Sequence, residues 1–187
     1  MSKKDERTTC DYINFVEATQ KGKELMSNKK TEIMGFYILF SINVGLRVSD
    51  IKKLTFAELR EGTWKFFEQK TKKYIEVPFN ENITRAMREL QIESKEGFVF
   101  ISQKNTVIST QHLNVKLKEI FNHLLPTHCI SSHSLRKTFG RRFYEMNGRD
   151  EDALMSLSEI FNHSSIKTTR GYLGIRRQEL NKMYFNL

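Results

Sequence analysis

The sequence predicts a mainly α-helical domain with one small β-hairpin, an α+β fold. Apolar residues recur at helical spacing over most of the 187 residues. One stretch differs, because residues 64–69 and 74–78 are rich in aromatic and β-branched side chains, as strands are. The basic run at 70–73 has the length of a hairpin turn, and Pro78 ends the second strand.

Three helices are expected before the hairpin. The first begins near Tyr12 and runs to about Met26. Thr31 suits the N-cap of the second, and Gly45 suits its C-terminal turn. An apolar stripe at i, i+3 and i+4 predicts that one face of this second helix is buried. A short third helix is expected over residues 46–54.

Helices dominate again after the hairpin. Apolar spacing and capping residues predict helices over residues 82–91, 109–121, 133–146 and 151–161, and a short extended segment over 98–101. We expect a short turn at 164–169 and a last helix over 176–185.

Composition points to an anionic partner. The chain has 31 Lys and Arg against 22 Asp and Glu, a formal net charge of +9, so nucleic acid is the first candidate. Cys10 and Cys129 have no paired spacing, which argues against a disulfide framework and favours a reducing cytoplasm. No apolar run is long enough to cross a bilayer, and the charged start lacks a secretory signal, so we expect no membrane partner.

Three residues in the first half suit phosphate chemistry or its support. Arg47 follows the glycine turn, and Asp50 has the spacing to pair with it or orient it, although a surface ion pair is the plain alternative. Lys70 lies in the hairpin turn and is able to donate a proton if neighbouring cations lower its pKa. An ordinary solvated hairpin is the alternative there.

The stretch 131–174 carries the other candidates. His133 and Arg136 share a helical face, and an Arg fork matches two phosphate oxygens. The alternative is a capping His and a solvated Arg. His163 precedes Tyr172 by nine residues. A phenol needs nearby cations or a base to act as a nucleophile, and most tyrosines are core or interface residues.

Two other site types fit poorly. A metal set drawn from His123, His128, Cys129, His133 and His163 matches no compact zinc spacing. The serine cluster around His133 lacks a GxSxG elbow, so a serine hydrolase is disfavoured.

Three segments together resemble the catalytic domain of the tyrosine recombinases, or phage-type integrases. GLRVSDI at 45–51 is similar to the first-arginine region, HSLRKTF at 133–139 to the His-x-x-Arg region, and HSSIKTT at 163–169 with Tyr172 to the His-and-tyrosine region. They occur in the family's order, and the resemblance covers roughly residues 12–185. One departure is Phe161-Asn162 where the family often has Leu-Gly, although Asn also tolerates the left-handed conformation.

The resemblance implies roles for six residues. Tyr172 matches the nucleophile that forms a 3′-phosphotyrosyl link to DNA and leaves a 5′-hydroxyl. The implied catalytic set is Arg47, Lys70, His133, Arg136, His163 and Tyr172, with Asp50 in support. Lys70 is preferred over its neighbours because it directly follows the first strand. No metal or other cofactor is implied.

The resemblance also implies partners and domain limits. Double-stranded DNA is the expected substrate, and a tetramer assembled on DNA through the tail at about 175–187 is the expected oligomer, in a prokaryotic cytoplasm. Residues 1–11 would be disordered or a linker end, 12–187 the catalytic domain, and an N-terminal core-binding domain would be absent. A type IB topoisomerase-like enzyme and a non-catalytic DNA-binding regulator are the alternatives.

Overall fold

A computed structural model describes residues 10–122, 128–175 and 184–185. The helices are α1 (Phe15–Met26), α2 (Glu32–Val44), α3 (Val48–Ile51), α4 (Phe56–Arg60), α5 (Glu81–Glu89), α6 (Thr110–Phe121), α7 (Ser132–Met146), α8 (Glu151–Phe161) and α9 (Ile166–Leu173). Strands β1 (Thr63–Phe67) and β2 (Tyr74–Pro78) pair antiparallel between α4 and α5, with Phe66 opposite Ile75. The predicted mainly α fold with one β-hairpin is confirmed.

Two local predictions are wrong. The third helix is only α3, and a separate helix α4 follows because Thr55 and Glu58 form a capping box that starts it. The predicted turn at 164–169 is instead the first part of α9. The Ser165 side chain accepts from the Thr168 N–H and caps α9, and the buried Leu173 anchors its other end.

Helix α2 is the centre of the larger core. The sequence predicts one buried face, but every residue from Gly35 to Ile42 is buried. The helix packs against α1, α5 and α7, and Phe36, Tyr37 and Phe40 contact aromatic rings from other elements. A helix enclosed on all sides is apolar all round, so periodicity understates its burial.

A smaller cluster forms where α7, α8 and α9 meet. Its buried members are Leu154, Leu157, Phe161, Leu173 and Ile175, with Phe139 and Tyr172 among the residues packed against it. Helix α7 belongs to both clusters, since its Leu135 lies in the larger one. The candidate site lies at this junction, between the α7–α9 cluster and the hairpin.

Several sequence predictions fall outside the described residues. They concern residues 1–9, His123, and most of the tail and last helix, at 176–183 and 186–187. Within the tail, Tyr184 and Phe185 are 75% and 86% exposed. Among the helices of the described ranges, none has the length and apolar character needed to span a membrane.

Candidate active site

A glycine turn between α2 and α3 positions Arg47. Gly45 ends α2 in the left-handed conformation, with φ +64°, and a Cβ there would lie 2.2 Å from Cδ1 of Phe139. Only glycine therefore lets α7 approach this closely. The chain then extends through Arg47, which is the N-cap of α3, and the guanidinium turns towards the hairpin.

Arg47 pairs with Glu68, not with Asp50. Nη1 of Arg47 donates to Oε1 of Glu68, whose carboxylate is only 1% exposed. The expected i, i+3 partnership fails because Arg47 precedes the helix and has extended backbone geometry. Asp50 is also buried and instead accepts from the backbone N–H of Gln69 at 3.0 Å, so it fixes the start of the hairpin turn.

The two buried carboxylates respond differently to their surroundings. Burial alone would raise the pKa of Glu68, but hydrogen bonds from Thr71 and Asn162 and the charge of Arg47 outweigh it, and the pKa is lowered. Burial dominates at Asp50 and raises its pKa, despite the bond from Gln69. The lowered pKa keeps Glu68 ionised at neutral pH, where its charge balances that of the arginines.

Arg136 lies inside the protein and not on a solvated face. It is 3% exposed, and its guanidinium carbon lies 4.3 Å from the centroid of the Phe161 ring. Its Nη2 donates to the Phe161 carbonyl at 2.9 Å. Its buried Nη1 has no hydrogen-bond partner among the described residues. A buried charged donor of this kind is expected to face a ligand.

One backbone carbonyl brings the two arginines together. The Phe161 oxygen also accepts from Nη2 of Arg47 at 3.0 Å. Phe161 is the last residue of α8, where carbonyls lack helical partners and the helix end is partly negative. The pKa of Arg136 is lowered to about 10, chiefly by burial and also by Arg47, while Tyr172 and Glu68 oppose that change.

Tyr172 lies on α9 beside this pair. Its hydroxyl donates to the backbone carbonyl of His133 at 3.4 Å, and its ring meets that of Phe161 edge-to-face at 5.6 Å. Burial raises the pKa of the phenol, while the charges of Arg136 and Arg47 oppose that rise. The resting hydroxyl is therefore protonated and needs a base before it can attack. His133 lies at the exposed start of α7.

His163 stands next to Tyr172, with ring centroids 5.4 Å apart. Its Nδ1 shares a 2.9 Å hydrogen bond with the hydroxyl of buried Thr169. The backbone N–H of His163 donates to the Ser158 carbonyl. The pKa of the ring is lowered to about 4 because burial disfavours the imidazolium and Arg136, Arg47 and Lys70 add positive charge. The imidazole is therefore neutral at pH 7.

The hairpin turn carries Lys70 towards His163. Lys70 is exposed, and its charge reaches His163. Lys73, at the other end of the turn, donates to Oδ1 of Asn162 at 2.7 Å. Asn162 ends α8 in the expected left-handed conformation, with φ 52° and ψ 48°.

The structure thus gathers Arg47, Arg136, His163 and Tyr172 around the C-terminus of α8, with Lys70 and His133 at its exposed edges. Three partners were missed by sequence reasoning: the Glu68 carboxylate, the Phe161 carbonyl and the Asn162 side chain. The sequence does hint at Glu68, because an acidic residue directly follows the aromatic residues of the first strand. It gives no hint of the Phe161 carbonyl, because every residue has a backbone carbonyl.

Comparison with known proteins agrees with this architecture. The Phage integrase family profile matches residues 13–179. Over 175 residues the chain is 29% identical to the probable integrase/recombinase YoeC of Bacillus subtilis (strain 168). This alignment covers 92% of this chain and 93% of YoeC. The chain is 25% identical to the tyrosine recombinase XerC of Lactobacillus delbrueckii subsp. bulgaricus (strain ATCC BAA-365 / Lb-18) over 90% of its length, but spans only 58% of that protein.

A solved structure has the same fold. The superposition on the XerA recombinase covers all of this chain and 66% of the XerA chain, with a TM-score of 0.71 and 19% identity. The family profile covers most of the sequence and all six predicted site residues, from Arg47 to Tyr172. The chain therefore belongs to the phage integrase family, the family of the tyrosine recombinases.

Proposed function

We propose that this chain is a site-specific DNA recombinase that cleaves and rejoins DNA strands through Tyr172. The observation that carries the proposal is the buried Nη1 of Arg136, a cationic donor without a hydrogen-bond partner in the described part of the chain, near Tyr172 on α9. A phosphate oxygen is a suitable acceptor for it. The family membership and the net charge of +9 support DNA as the source of that phosphate.

In the first step, the Tyr172 oxygen attacks the scissile phosphorus and the bond from phosphorus to the 5′ oxygen breaks. The products are a 3′-phosphotyrosyl link and a free 5′-hydroxyl. Arg47 and Arg136 bind the non-bridging oxygens, where charge accumulates in the transition state. Their shared carbonyl holds them in place before DNA arrives, so little reorganisation is needed.

Protons move at two positions. His133 accepts the phenol proton, and Lys70 gives a proton to the departing 5′ oxygen. His163 is neutral, and a Thr169 hydroxyl that donates to Nδ1 leaves the ring proton on Nε2, from which His163 donates to the phosphate. Asp50 acts in support by fixing the hairpin turn that carries Lys70.

Rejoining reverses these steps with a 5′-hydroxyl from a second duplex. Exchange between duplexes requires several copies of the enzyme, so we propose a tetramer on DNA assembled through the tail at about 175–187. Residues 12–187 act as the catalytic domain, after a linker end at 1–11. A prokaryotic cytoplasm is the proposed location.

Covalent trapping tests the nucleophile. A nicked duplex is selected from a randomised pool by capture on the wild-type chain. On cleavage it releases the short fragment that carries the free 5′-hydroxyl, which prevents rejoining and traps the adduct. We expect Tyr172→Phe to abolish the adduct and leave DNA binding within about twofold, since only the hydroxyl is removed. Tyr144→Phe is the control, because Tyr144 lies on α7 about two helical turns beyond Arg136 and its hydroxyl donates to the Arg149 carbonyl. An adduct formed by Tyr172→Phe refutes the assignment.

A further inference from the structure

The hairpin turn that carries Lys70 is fixed on both sides of that residue. Before it, the Gln69 N–H donates to Oδ1 of Asp50 at 3.0 Å. After it, the Thr71 hydroxyl donates to Oε2 of Glu68 at 2.5 Å. The turn itself is closed by the Glu68 N–H donating to the Lys73 carbonyl at 2.9 Å. The backbone of Lys70 is therefore held in place while its side chain extends into solvent.

The Asn162 side chain reaches both ends of this turn. Its Nδ2 donates to Oε2 of Glu68 at 3.2 Å, and its Oδ1 accepts from Nζ of Lys73 at 2.7 Å. These two partners are the residues that close the turn. A single amide thus joins the hairpin to the C-terminus of α8, over a sequence separation of about 90 residues.

Asn162 is also part of the backbone that organises the phosphate site. The preceding Phe161 carbonyl binds both arginines, and the following residue is His163. Its left-handed conformation is one that glycine adopts at no cost and that asparagine tolerates. Glycine would make the same bend but would supply neither hydrogen bond. The side chain therefore adds a connection that the backbone turn does not require.

We propose that Asn162 is a positioning residue that holds Lys70 where it protonates the leaving 5′ oxygen. This rests on the proposed function, in which the Tyr172 oxygen bonds to phosphorus as the 5′ oxygen leaves. That oxygen takes its proton from the Lys70 ammonium. Without Asn162, the turn keeps only the indirect connection to α8 through Arg47, which binds both Glu68 and the Phe161 carbonyl. Lys70 is then placed less accurately over the leaving group, which slows the proton transfer.

The leaving group distinguishes this role from a general structural one. The probe is the selected nicked duplex, made once with the natural 5′ oxygen and once with sulfur at that bridging position. A thiolate leaves without protonation because a thiol is far more acidic than an alcohol. We expect Asn162→Gly to slow cleavage of the oxygen duplex about tenfold, the effect of losing a hydrogen bond to a charged group. On the sulfur duplex it should cleave at nearly the wild-type rate.

Two variants calibrate that result. Lys70→Ala should show the same pattern, with a larger loss of cleavage rate on the oxygen duplex, about 100-fold or more. Asn105→Gly makes the same exchange at another left-handed asparagine, with φ 56°, in an exposed turn near Ser102, and should cleave both duplexes normally. A defect of equal size on both duplexes, or no defect on oxygen, overturns the proposal.

A second measurement needs no DNA. Hydrogen exchange of the Gln69 and Lys72 amides should be faster in Asn162→Gly than in wild type and Asn105→Gly, because both amides are hydrogen-bonded within the turn. Unchanged exchange overturns the connection itself. If the wild-type chain forms no adduct on either duplex, the proposed function and the proton-transfer role fall together. The exchange result still shows whether Asn162 fixes the turn.

Discussion

Replacing Glu68 with glutamine removes the buried charge that pairs with Arg47. In the native site, Oε1 accepts from Arg47, and Oε2 accepts from Thr71 and Asn162. A glutamine oxygen can satisfy only one of these two positions. If it faces Arg47, Thr71 and Asn162 lose their acceptor; if it faces them, an NH₂ group meets the guanidinium. Either orientation leaves Arg47 and Arg136 without their ionised partner.

Breaking a buried ion pair from one side costs about 3 kcal/mol. For a domain of this size, we expect the unfolding midpoint of Glu68→Gln to fall by about 6–12 °C. Urea unfolding followed by circular dichroism measures the free energy directly. Glu76→Gln is the matched control on β2, where a 53% exposed carboxylate lies 3.9 Å from Lys65, and should cost less than about 1 kcal/mol.

Acidification supplies a second check on the same variant. The pKa of Glu68 is lowered in the folded protein from its ordinary value of 4.5. Its contribution to stability is therefore complete above about pH 4.5 and is lost as the pH falls through the folded-state pKa. Glutamine has no such contribution to lose, so the gap between wild type and Glu68→Gln should narrow below that pH. A gap that stays constant, or a cost no larger than that of Glu76→Gln, refutes the reasoning.

Two further predictions concern the arginine pair and the neutral histidine. Arg136→Lys keeps the charge but loses the planar fork, so covalent trapping should fall about 100-fold with a much smaller loss in a gel-shift assay; Arg142→Lys, on the Phe15 side of α7, is the control, and equal losses in both assays would indicate a plain binding role. The folded-state pKa of His163, about 4 against an ordinary 6.5, means that only the unfolded chain binds this proton between those values. The unfolding free energy should therefore drop from pH 6.5 to 4, by at most about 3 kcal/mol from this group. His163→Gln should reduce that drop, His112→Gln controls for loss of a histidine, and an unchanged slope contradicts the burial of the ring.

Local signals predicted most of the fold. Helix α8 has the bounds expected from sequence, because Asp150 caps its start and Asn162 ends it in a left-handed turn. Helix α9 was not predicted, because the sequence signals at 164–169 indicate only a short capped turn. Its continuation depends on Leu173 packing against the α7–α8 cluster, a tertiary effect that capping rules do not include.

The site was predictable in its residue types but not in its pairing. Arg47 and Asp50 are three residues apart, and sequence spacing favours them as partners. The partner that Arg47 takes lies 21 residues away on the hairpin, because the glycine turn leaves Arg47 outside the helix. Asp50, lying inside α3, contacts the hairpin backbone instead. Spacing rules apply within an element, and this ion pair joins two.

The positive charge of Arg47 and Arg136 must be balanced, which explains why Glu68 and the Phe161 carbonyl matter. Two guanidinium groups on one carbonyl repel each other, and this repulsion adds to burial, the larger cause, in lowering the pKa of Arg136. Glu68 offsets one charge, and the end of α8 contributes a further partial negative charge. The buried Nη1 of Arg136 still has no hydrogen-bond partner among the described residues. In the proposed reaction, a phosphate bound there would complete the charge balance, so that substrate binding and transition-state stabilisation would use the same unsatisfied group.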